Sequence, residues 1–236
     1  WPTHANCWGL TKRTMGKKAV VLLSGGLDST VALHVAKRDY DELYALSFTY
    51  GQLHSKELAC AQWQGEHAGV KEHRIVELKL DAWGDCSLTH AAEPIEPGNV
   101  QRTSTPNTYV PARNMVFLSV AASYAEAVGA STIFIGVSEV DYSGYVDCRE
   151  EFIVQMEAAI NAGTERKLTH GDPIRIMAPF IHMRKADEVL LGAKLGVDFS
   201  HTWTCYQGDE KPCGVCDSCL LRAKAFAEAG VPDPLG

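Results

Sequence analysis

The sequence contains no apolar run long enough to cross a membrane, although hydrophobic residues make up 46% of it. Its first residues also lack the uninterrupted apolar segment of a secretory signal, so a cytoplasmic protein without membrane contact is expected. An excess of positive charge is absent as well, because 22 Lys and Arg stand against 29 Asp and Glu, a net charge of −7. This balance disfavours a broad phosphate-binding face, and no direct nucleic-acid partner is expected.

Internal repeats and low-complexity segments are also missing, and the 236 residues suit one α/β domain with a small appendage. The chain starts at Trp1 rather than Met, and Met15 stands just before the first apolar run. We therefore expect residues 1–16 to be a disordered N-terminal extension. The remainder is divided into a main domain, 17–198, and a cysteine-rich C-terminal segment, 199–236.

Runs of β-forming residues alternate with runs of helical period along the main domain. Strands are predicted over residues 19–23, 42–50, 74–78, 131–137 and 174–177, and helices over stretches that include 31–36, 54–67, 110–128, 150–162 and 184–196. This alternation is typical of a doubly wound α/β fold with a parallel five-stranded sheet, whose ligands bind at the carboxyl ends of the strands. Residues 81–108 have no clear period and are predicted to form a long, functional loop.

The most informative motif follows the first predicted strand and reads Leu22-Leu23-Ser24-Gly25-Gly26-Leu27-Asp28-Ser29-Thr30. The two glycines allow a sharp bend and a close approach to a ligand, and the amides of the new helix attract an anion, most simply a phosphate. The alternative is a plain strand–turn–helix with a Ser or Asp cap. The turn is neither a P-loop, which has Lys where Asp28 stands, nor a G-x-G-x-x-G dinucleotide motif.

Four of the eight cysteines lie close together as Cys205-x7-Cys213-x2-Cys216-x2-Cys219. In a reducing compartment this spacing favours a metal over disulfides, and four thiolates suit a closed, structural zinc site. An iron–sulfur run would place its fourth cysteine where Ala223 stands, and a redox pair does not account for the third and fourth cysteines. The zinc is expected to hold a C-terminal helix, 218–229, against the edge of the sheet.

The glycine turn resembles the S-G-G-x-D-S pyrophosphate loop of the N-type ATP pyrophosphatases, which adenylate a carbonyl or carboxylate oxygen and release pyrophosphate. The resemblance implies an adenine nucleotide alpha-hydrolase-like fold and makes residues 17–198 an ATP pyrophosphatase domain. The residues that it assigns to ATP are Leu23, Ser24, Gly25, Gly26, Leu27, Asp28, Ser29, Thr30, Val31, Ala32 and Leu33.

Several linked segments narrow the resemblance to the 7-cyano-7-deazaguanine synthases of queuosine biosynthesis, over about residues 18–234. Besides the cysteine cluster, which continues to Leu221 and Arg222, they are Tyr50-Gly51-Gln52-x-His54, Val110-Pro111-x-Arg113-Asn114, Asp141-Tyr142-Ser143-Gly144-Tyr145-x-Asp147-Cys148-Arg149 and Thr202-Trp203-x-Cys205-Tyr206. One departure is Leu27, where this family often carries Gln; the flanking glycines and Asp28 are intact.

The family reaction converts 7-carboxy-7-deazaguanine and ammonia to the 7-nitrile, with two ATP consumed and AMP and pyrophosphate released. The resemblance therefore implies an ATP-dependent carbon–nitrogen ligase with a deazapurine, ATP and ammonia as its small-molecule partners. It also implies Mg²⁺ with the ATP, one structural Zn²⁺ per chain and a homodimer. Adenylation is needed because a carboxylate is a poor electrophile with a poor leaving group.

Five residues are assigned to catalysis: Ser24, Asp28, Ser29, Arg113 and Lys185. Asp28 either orients a Mg²⁺ shell or caps the helix. Arg113 either contacts phosphate or forms a surface ion pair. Lys185 lies where members of the superfamily often place a basic residue near the phosphates. The alternative for Lys185 is a solvated pair with Arg184.

The predicted substrate face comprises Asp141, Ser143, Tyr145, Asp147 and Arg149. A carboxylate matches the donors of a guanine-like edge, Arg149 could bind the substrate carboxylate, and Tyr142 and Tyr145 could stack on the ring. The alternative is a polar surface loop. His54 and His201 are possible pocket walls, and no general base is assigned.

Three rival functions remain open from the sequence. A related enzyme could use another amine and attach a deazaguanine to a protein, or a tRNA-modifying enzyme could use the same adenylation chemistry. A zinc-knuckle nucleic-acid-binding module without catalysis would leave the Ser-Gly-Gly-Leu-Asp-Ser turn unexplained.

Overall fold

A five-stranded parallel sheet lies at the centre of the computed structural model, which describes residues 16–52, 56–82, 86–89, 94–99, 104–138, 145–207 and 210–236. The strand order is β3-β2-β1-β4-β5, and every paired neighbour is parallel, which confirms the predicted sheet. The strands are β1 (Lys18–Leu22), β2 (Glu42–Thr49), β3 (Glu72–Glu77), β4 (Thr132–Phe134) and β5 (Arg175–Met177).

Seven α-helices occur in the described residues. They are α1 (Leu27–Asp39), α2 (Lys56–Ala68), α3 (Arg113–Val128), α4 (Glu150–Gly163), α5 (Glu165–His170), α6 (Lys185–Lys194) and α7 (Asp217–Ala229). The short α5 was not predicted, because its six residues carry too little apolar pattern to stand out. α3 begins at Arg113 rather than at residue 110, because Ala112 has a left-handed backbone (φ 52°) that no helix continues.

Two apolar layers cover the two faces of the sheet, as the doubly wound prediction requires. Val20 and Leu22 of β1 face one layer, which includes side chains of α3 and α4. Ala19 and Val21 face the other, which includes side chains of α1 and α6. Alternate residues of one strand therefore serve opposite layers, as the period-two geometry of a strand dictates.

The direction of chain travel changes between β1 and β4. From β1 the chain moves outward to β2 and β3, and it then returns to β4 on the other side of β1. The loops that follow β1 and β4 diverge there and leave a crevice, the usual ligand site of such folds. The loop after β4 approaches α1 so closely that a Cβ on Gly136 would lie 2.7 Å from the carbonyl carbon of Asp28.

The C-terminal helix α7 packs mainly against α6. The sequence instead predicted that this helix packs against the edge of the sheet. Ala225 and Phe226 of α7 join the apolar layer beneath α1, and the Phe226 ring meets the Phe199 ring edge-on at 5.1 Å. Trp203 N donates to Gly25 O at 2.9 Å, which ties this segment to the glycine turn. Except for Gly16, the predicted N-terminal extension lies outside the described residues. None of the helices in the described ranges is long and apolar enough to cross a membrane.

The backbone of Gly25 leaves no room for a side chain. Its φ is +91°, and a Cβ there would lie 2.0 Å from Glu57 O and 2.6 Å from Ala61 N of α2. Gly69 also has a positive φ of +74°, but no atom lies within 4 Å of the position of its missing Cβ. The two glycines separate the cost of the backbone conformation from the cost of a steric clash.

We expect Gly69→Ala to lower the free energy of unfolding by about 1–2 kcal/mol, the cost of a left-handed residue with a Cβ. Gly25→Ala is expected to lose a further ~1–3 kcal/mol, because α2 must move away from the added methyl group. Urea denaturation of both variants measures the difference. Equal losses of unfolding free energy in the two variants would show that α2 moves away from the added methyl group without a measurable cost.

Candidate active site

Several parts of the chain enclose a cavity of about 330 Å³ at the carboxyl ends of β1, β2 and β4. They include the turn after β1, the end of β2, the starts of α2, α3 and α6, the loop after β4, and residues 204–206 and 218–222. The volume lies in the range of small-ligand sites. The cavity opens at the point where the chain direction reverses, as the fold class predicts.

The glycine turn forms one wall of this cavity, and its polar groups converge. Ser29 Oγ accepts hydrogen bonds from the backbone amides of Ser24 and Gly25, both at 3.2 Å. Ser24 Oγ lies 3.1 Å from Ser29 Oγ and accepts the Gly26 amide at 3.2 Å. Gly26 is the N-cap of α1 and brings no capping side chain. Amides, hydroxyls and a helix N-terminus thus meet at one spot, an arrangement that suits a phosphate group.

The predicted ATP residues divide into two groups. Those from Leu23 to Ser29 reach the cavity, except that Gly25 stays behind its wall. Thr30, Val31, Ala32 and Leu33 have no exposed surface and are absent from the described cavity wall, because α1 runs from the turn into the apolar layer. Leu27 is only 2% exposed and packs in that layer, which accounts for an apolar residue at this position.

Lys185 lies at the same wall, held between two carboxylates. Its Nζ is 2.6 Å from Asp28 Oδ2 and 3.4 Å from Glu188 Oε2. Burial alone would lower the pKa of Lys185, but the two carboxylates raise it above its usual value, so the ammonium stays charged. Arg184 instead pairs with Asp187 on the exposed side of α6. Arg184 and Lys185 therefore point to different places, and only Lys185 reaches the glycine turn.

Glu188 is wholly buried behind Lys185. Burial, with Asp28 adding to it, raises the pKa of Glu188 well above its usual value against the opposing effect of Lys185. Glu188 was not identified from the sequence, since an acidic residue in the first turn of a helix is ordinarily solvated.

Arg113 extends into the cavity from the start of α3. Its Nη1 donates to Tyr50 OH at 3.1 Å, and its guanidinium lies 5.5 Å from the centre of the Tyr50 ring. Burial alone would lower the pKa of Arg113, but the surrounding tyrosine hydroxyls and the carboxylate of Asp147 raise this pKa above its usual value. Within the described ranges no carboxylate lies in ion-pair distance of this guanidinium. The surface ion pair considered from the sequence is therefore not seen in these ranges.

The predicted substrate residues are not all brought to the cavity. Tyr145 lines it, and its OH lies 2.7 Å from Thr108 Oγ1. Asp147 is buried and its carboxylate accepts the backbone amide of Asn114 at 3.0 Å, so it caps the first turn of α3. Arg149 is exposed as the N-cap of α4. Asp141 and Ser143 lie outside the described residues.

The two histidines proposed as pocket walls have different outcomes. His54 lies outside the described residues. His201 stacks on the Trp63 ring at 3.6 Å and its Nδ1 lies 3.1 Å from Asp198 Oδ2, away from the cavity wall. These contacts hold residues 199–201 against α2. His201 therefore has a structural role rather than a place in the pocket wall.

The cavity also contains residues to which no role was assigned from the sequence, Phe117 and Glu57 among them. Tyr206 and Phe117 are aromatic neighbours of Arg113, and Glu57 is a carboxylate in the first turn of α2. Tyr206 belongs to the Thr202-Trp203-x-Cys205-Tyr206 segment, which the family resemblance already included. Glu57 follows the Tyr50-Gly51-Gln52 segment by five residues, but only the contact between α2 and the glycine turn brings it to the site.

The four cysteines of the C-terminal segment form the predicted cluster. Their Sγ atoms all lie within 4.8 Å of one another, and Cys213 Sγ is 3.9 Å from Cys219 Sγ. Tetrahedral zinc with Zn–S distances of about 2.3 Å holds its sulfurs about 3.8 Å apart, so the cluster fits zinc. Backbone amides of Gln207 and Cys213 donate to Cys205 Sγ at 3.4 and 3.2 Å.

The cysteine cluster also contacts the predicted long loop, 81–108, through residues 98 and 99. Gly98 N donates to Val215 O at 2.9 Å, between two of the cysteines, and the Asn99 amide donates to Asp217 Oδ1. A Cβ on Gly98 would lie 2.6 Å from Leu220 Cδ1. The described part of this loop, 94–99, is therefore fixed to the knuckle and to the start of α7.

The comparison with protein families agrees with this site. The family model described as "Queuosine biosynthesis protein QueC" matches residues 18–230, nearly the whole described chain. The chain belongs to the QueC family. The match covers both the glycine turn and the cysteine cluster, and it confirms the narrower of the two resemblances drawn from the sequence.

Curated relatives of the QueC family align over most of the chain. The 7-cyano-7-deazaguanine synthase of Clostridium kluyveri is 54% identical over 219 residues, which cover 93% of this chain and 97% of that protein. The synthase of Trichodesmium erythraeum is 48% identical, covering 92% and 99%. That of Oceanobacillus iheyensis is 49% identical, covering 93% and 98%.

Metal analysis is expected to find about one zinc per chain. Cys213→Ser should lose it and lower the melting temperature by about 5 °C or more, since 1 kcal/mol corresponds to about 2–4 °C in a chain of this length. Cys60→Ser is the matched control, because Cys60 is also half-buried but stands outside the four-cysteine cluster. A stable wild-type protein without metal, or equal melting temperatures for the two variants, would contradict the zinc assignment.

Proposed function

We propose that this chain converts 7-carboxy-7-deazaguanine and ammonia to 7-cyano-7-deazaguanine, consuming two ATP and releasing AMP and pyrophosphate. Family membership and the names of relatives at 46–54% identity support this reaction. The observation that carries it is the shared cavity, which places the glycine turn, Lys185 and Arg113 around one space. One cation beside the glycine turn and a second cation in the same cavity suit a reaction that displaces pyrophosphate.

Adenylation is the first task of the site. A carboxylate oxygen must attack the α-phosphate in line with the departing pyrophosphate, so positioning and charge stabilisation supply most of the rate. We infer that the hydroxyls of Ser24 and Ser29 and the N-terminus of α1 hold the phosphates, while the amides of residues 24–26 fix those two hydroxyls in place. Lys185 then neutralises charge on the departing group, since its ammonium stays charged in this site.

Asp28 is the carboxylate that fits a cation carried in with ATP. It lies at the start of α1 beside the turn and faces Lys185 at 2.6 Å. Mg²⁺ prefers oxygen ligands and would neutralise phosphate charge when bound. We propose that Asp28 orients the water shell of this ion, while Glu188 keeps Lys185 close to the turn.

The tyrosine-rich wall suits a planar deazapurine. Tyr50, Tyr145 and Tyr206 line the cavity around Arg113, and aromatic faces bind flat heterocycles through stacking. Tyr145, which lines the described cavity, is a proposed substrate residue. Asp141, Ser143 and Arg149 also remain proposed substrate residues. We assign Asp147 a positioning role, because its carboxylate is already engaged with the start of α3.

The finer assignments rest on the family resemblance. We propose one structural zinc per chain, Mg²⁺ with ATP, a homodimer and a cytoplasmic location. The cysteine geometry supports the zinc.

The rival functions gain no support from the comparisons. The reported relatives are named as synthases, whereas a protein-modifying enzyme or a tRNA-modifying enzyme would use another nucleophile or substrate on the same adenylation site. A nucleic-acid-binding module would not need a cavity walled by a phosphate-binding turn.

Incubation of the protein with 7-carboxy-7-deazaguanine, ammonium, Mg²⁺ and ATP is expected to release pyrophosphate and give a product with the mass of the nitrile. The control omits ammonium, and no nitrile should then form. Absence of both pyrophosphate and nitrile from a folded, zinc-containing protein would refute the synthase function.

Lys185→Met is expected to lower kcat by about 10²-fold or more, because a charged donor to the departing group is lost. Lys194→Met is the matched control, since Lys194 lies exposed in the last turn of the same helix. Steady-state kinetics with ATP as the varied substrate measures the effect, and thermal unfolding shows whether each variant is folded. Equal kcat values in two folded variants would remove Lys185 from the chemistry.

A further inference from the structure

A carboxylate lies in the anion-binding part of the cavity, where its charge would oppose a phosphate. Glu57 lines the cavity from the first turn of α2 and forms a side-chain hydrogen bond with Ser24 of the glycine turn. Its Oε1 is 3.2 Å from the position that a Cβ on Gly26 would take. No ion pair between described residues includes Glu57. A carboxylate kept at this place without a cation therefore requires a reason.

The other acidic groups of the described cavity region are engaged. Asp28 pairs with Lys185 at 2.6 Å, and Glu188 is buried behind the same lysine at 3.4 Å. Asp147 accepts the Asn114 amide. Glu57 is thus the acidic side chain of the described cavity wall that carries no cationic partner.

Charged groups from three elements face Glu57. Burial raises its pKa to about 7, the hydrogen bond from Ser24 and the charge of Arg113 on α3 lower it, and Asp28 on α1 raises it. Among the described residues, Tyr50 after β2 and Cys60 on α2 are further titratable neighbours, and the charge of Glu57 raises the pKa of each. A carboxylate with a pKa near 7 is ionised in a large fraction at neutral pH and still accepts a proton readily.

The proposed reaction has a step that needs such a group. When ammonia attacks the adenylated carboxylate, its nitrogen becomes positively charged and must lose a proton before the amide is stable. The acyl carbon is joined to the α-phosphate through one oxygen, so the reacting nitrogen lies near whatever holds that phosphate. A base beside the glycine turn is therefore well placed.

We propose that Glu57 is the general base that takes the proton from the nitrogen when ammonia attacks the adenylated carboxylate. The C–N bond forms, the C–O bond to AMP breaks, and the electron pair of one N–H bond stays on nitrogen while its proton moves to the Glu57 carboxylate. The products of the step are the primary amide, AMP and protonated Glu57, which returns its proton to solvent. This inference rests on the proposed synthase function.

The test compares Glu57→Gln with Glu66→Gln, a control on the exposed side of the same helix. Two activities are measured: exchange between ATP and pyrophosphate that depends on the carboxy substrate, and formation of amide and nitrile with ammonium. Glu57→Gln is expected to keep exchange within a few-fold of the wild type. Its rate of amide formation should fall about 10²–10⁴-fold, the usual contribution of a general base. Glu57→Asp, which retains a carboxylate, should recover part of the loss.

The pH dependence provides a measurement on the wild-type protein. At a constant concentration of free ammonia, the rate of amide formation should rise as the pH passes through about 7, because ionised Glu57 is the active form. Glu57→Gln should lack this rise, whereas Glu66→Gln should keep it.

Four results would overturn the inference. An equal fall of exchange and amide formation in Glu57→Gln would show that Glu57 acts only by holding Ser24, and unchanged amide formation would show that it does not act. Retention of the pH rise in Glu57→Gln would assign it to another group. Absence of exchange in the wild type and in Glu66→Gln would refute the synthase function, and this inference with it.

Discussion

Steric exclusion around the turn between β1 and α1 governs the arrangement of the site. The backbone of α2 lies where a side chain of Gly25 would be, and the start of α1 lies where a side chain of Gly136 would be. Trp203 N closes the same turn from the C-terminal segment. Because three distant parts of the chain touch one turn, its amides and hydroxyls are fixed before any ligand arrives. Preorganised donors of this kind are the main source of charge stabilisation in enzymes.

The charges of the site are arranged in separate groups rather than as a uniformly positive surface. Lys185 is held by two carboxylates, whereas Arg113 is surrounded by tyrosine hydroxyls and aromatic faces. The first cation is thus positioned beside the glycine turn, and the second faces the aromatic wall. This division would suit two anionic reactants in one cavity of a chain whose net charge is −7.

The fold and the two main motifs were predictable because both depend on local sequence. Alternating apolar runs specified the parallel sheet, and the spacing of glycines and cysteines specified the turn and the knuckle. Glu57 and Glu188 were not predictable, since their place at or behind the cavity wall depends on how the helices pack. Asp147 is the opposite case, because it was predicted to face a ligand and does not. Its polar segment indicated a ligand-binding face, but its carboxylate accepts the Asn114 amide in the first turn of α3.

The cavity is completed by residues from opposite ends of the chain. The turn at residues 24–29 belongs to the first strand and helix, while residues 204–206 and 218–222 supply the opposite wall. During synthesis the turn therefore leaves the ribosome long before its partner wall exists. We expect a nascent chain to gain affinity for nucleotide only after the C-terminal helix has emerged, so that ligand binding reports a finished protein.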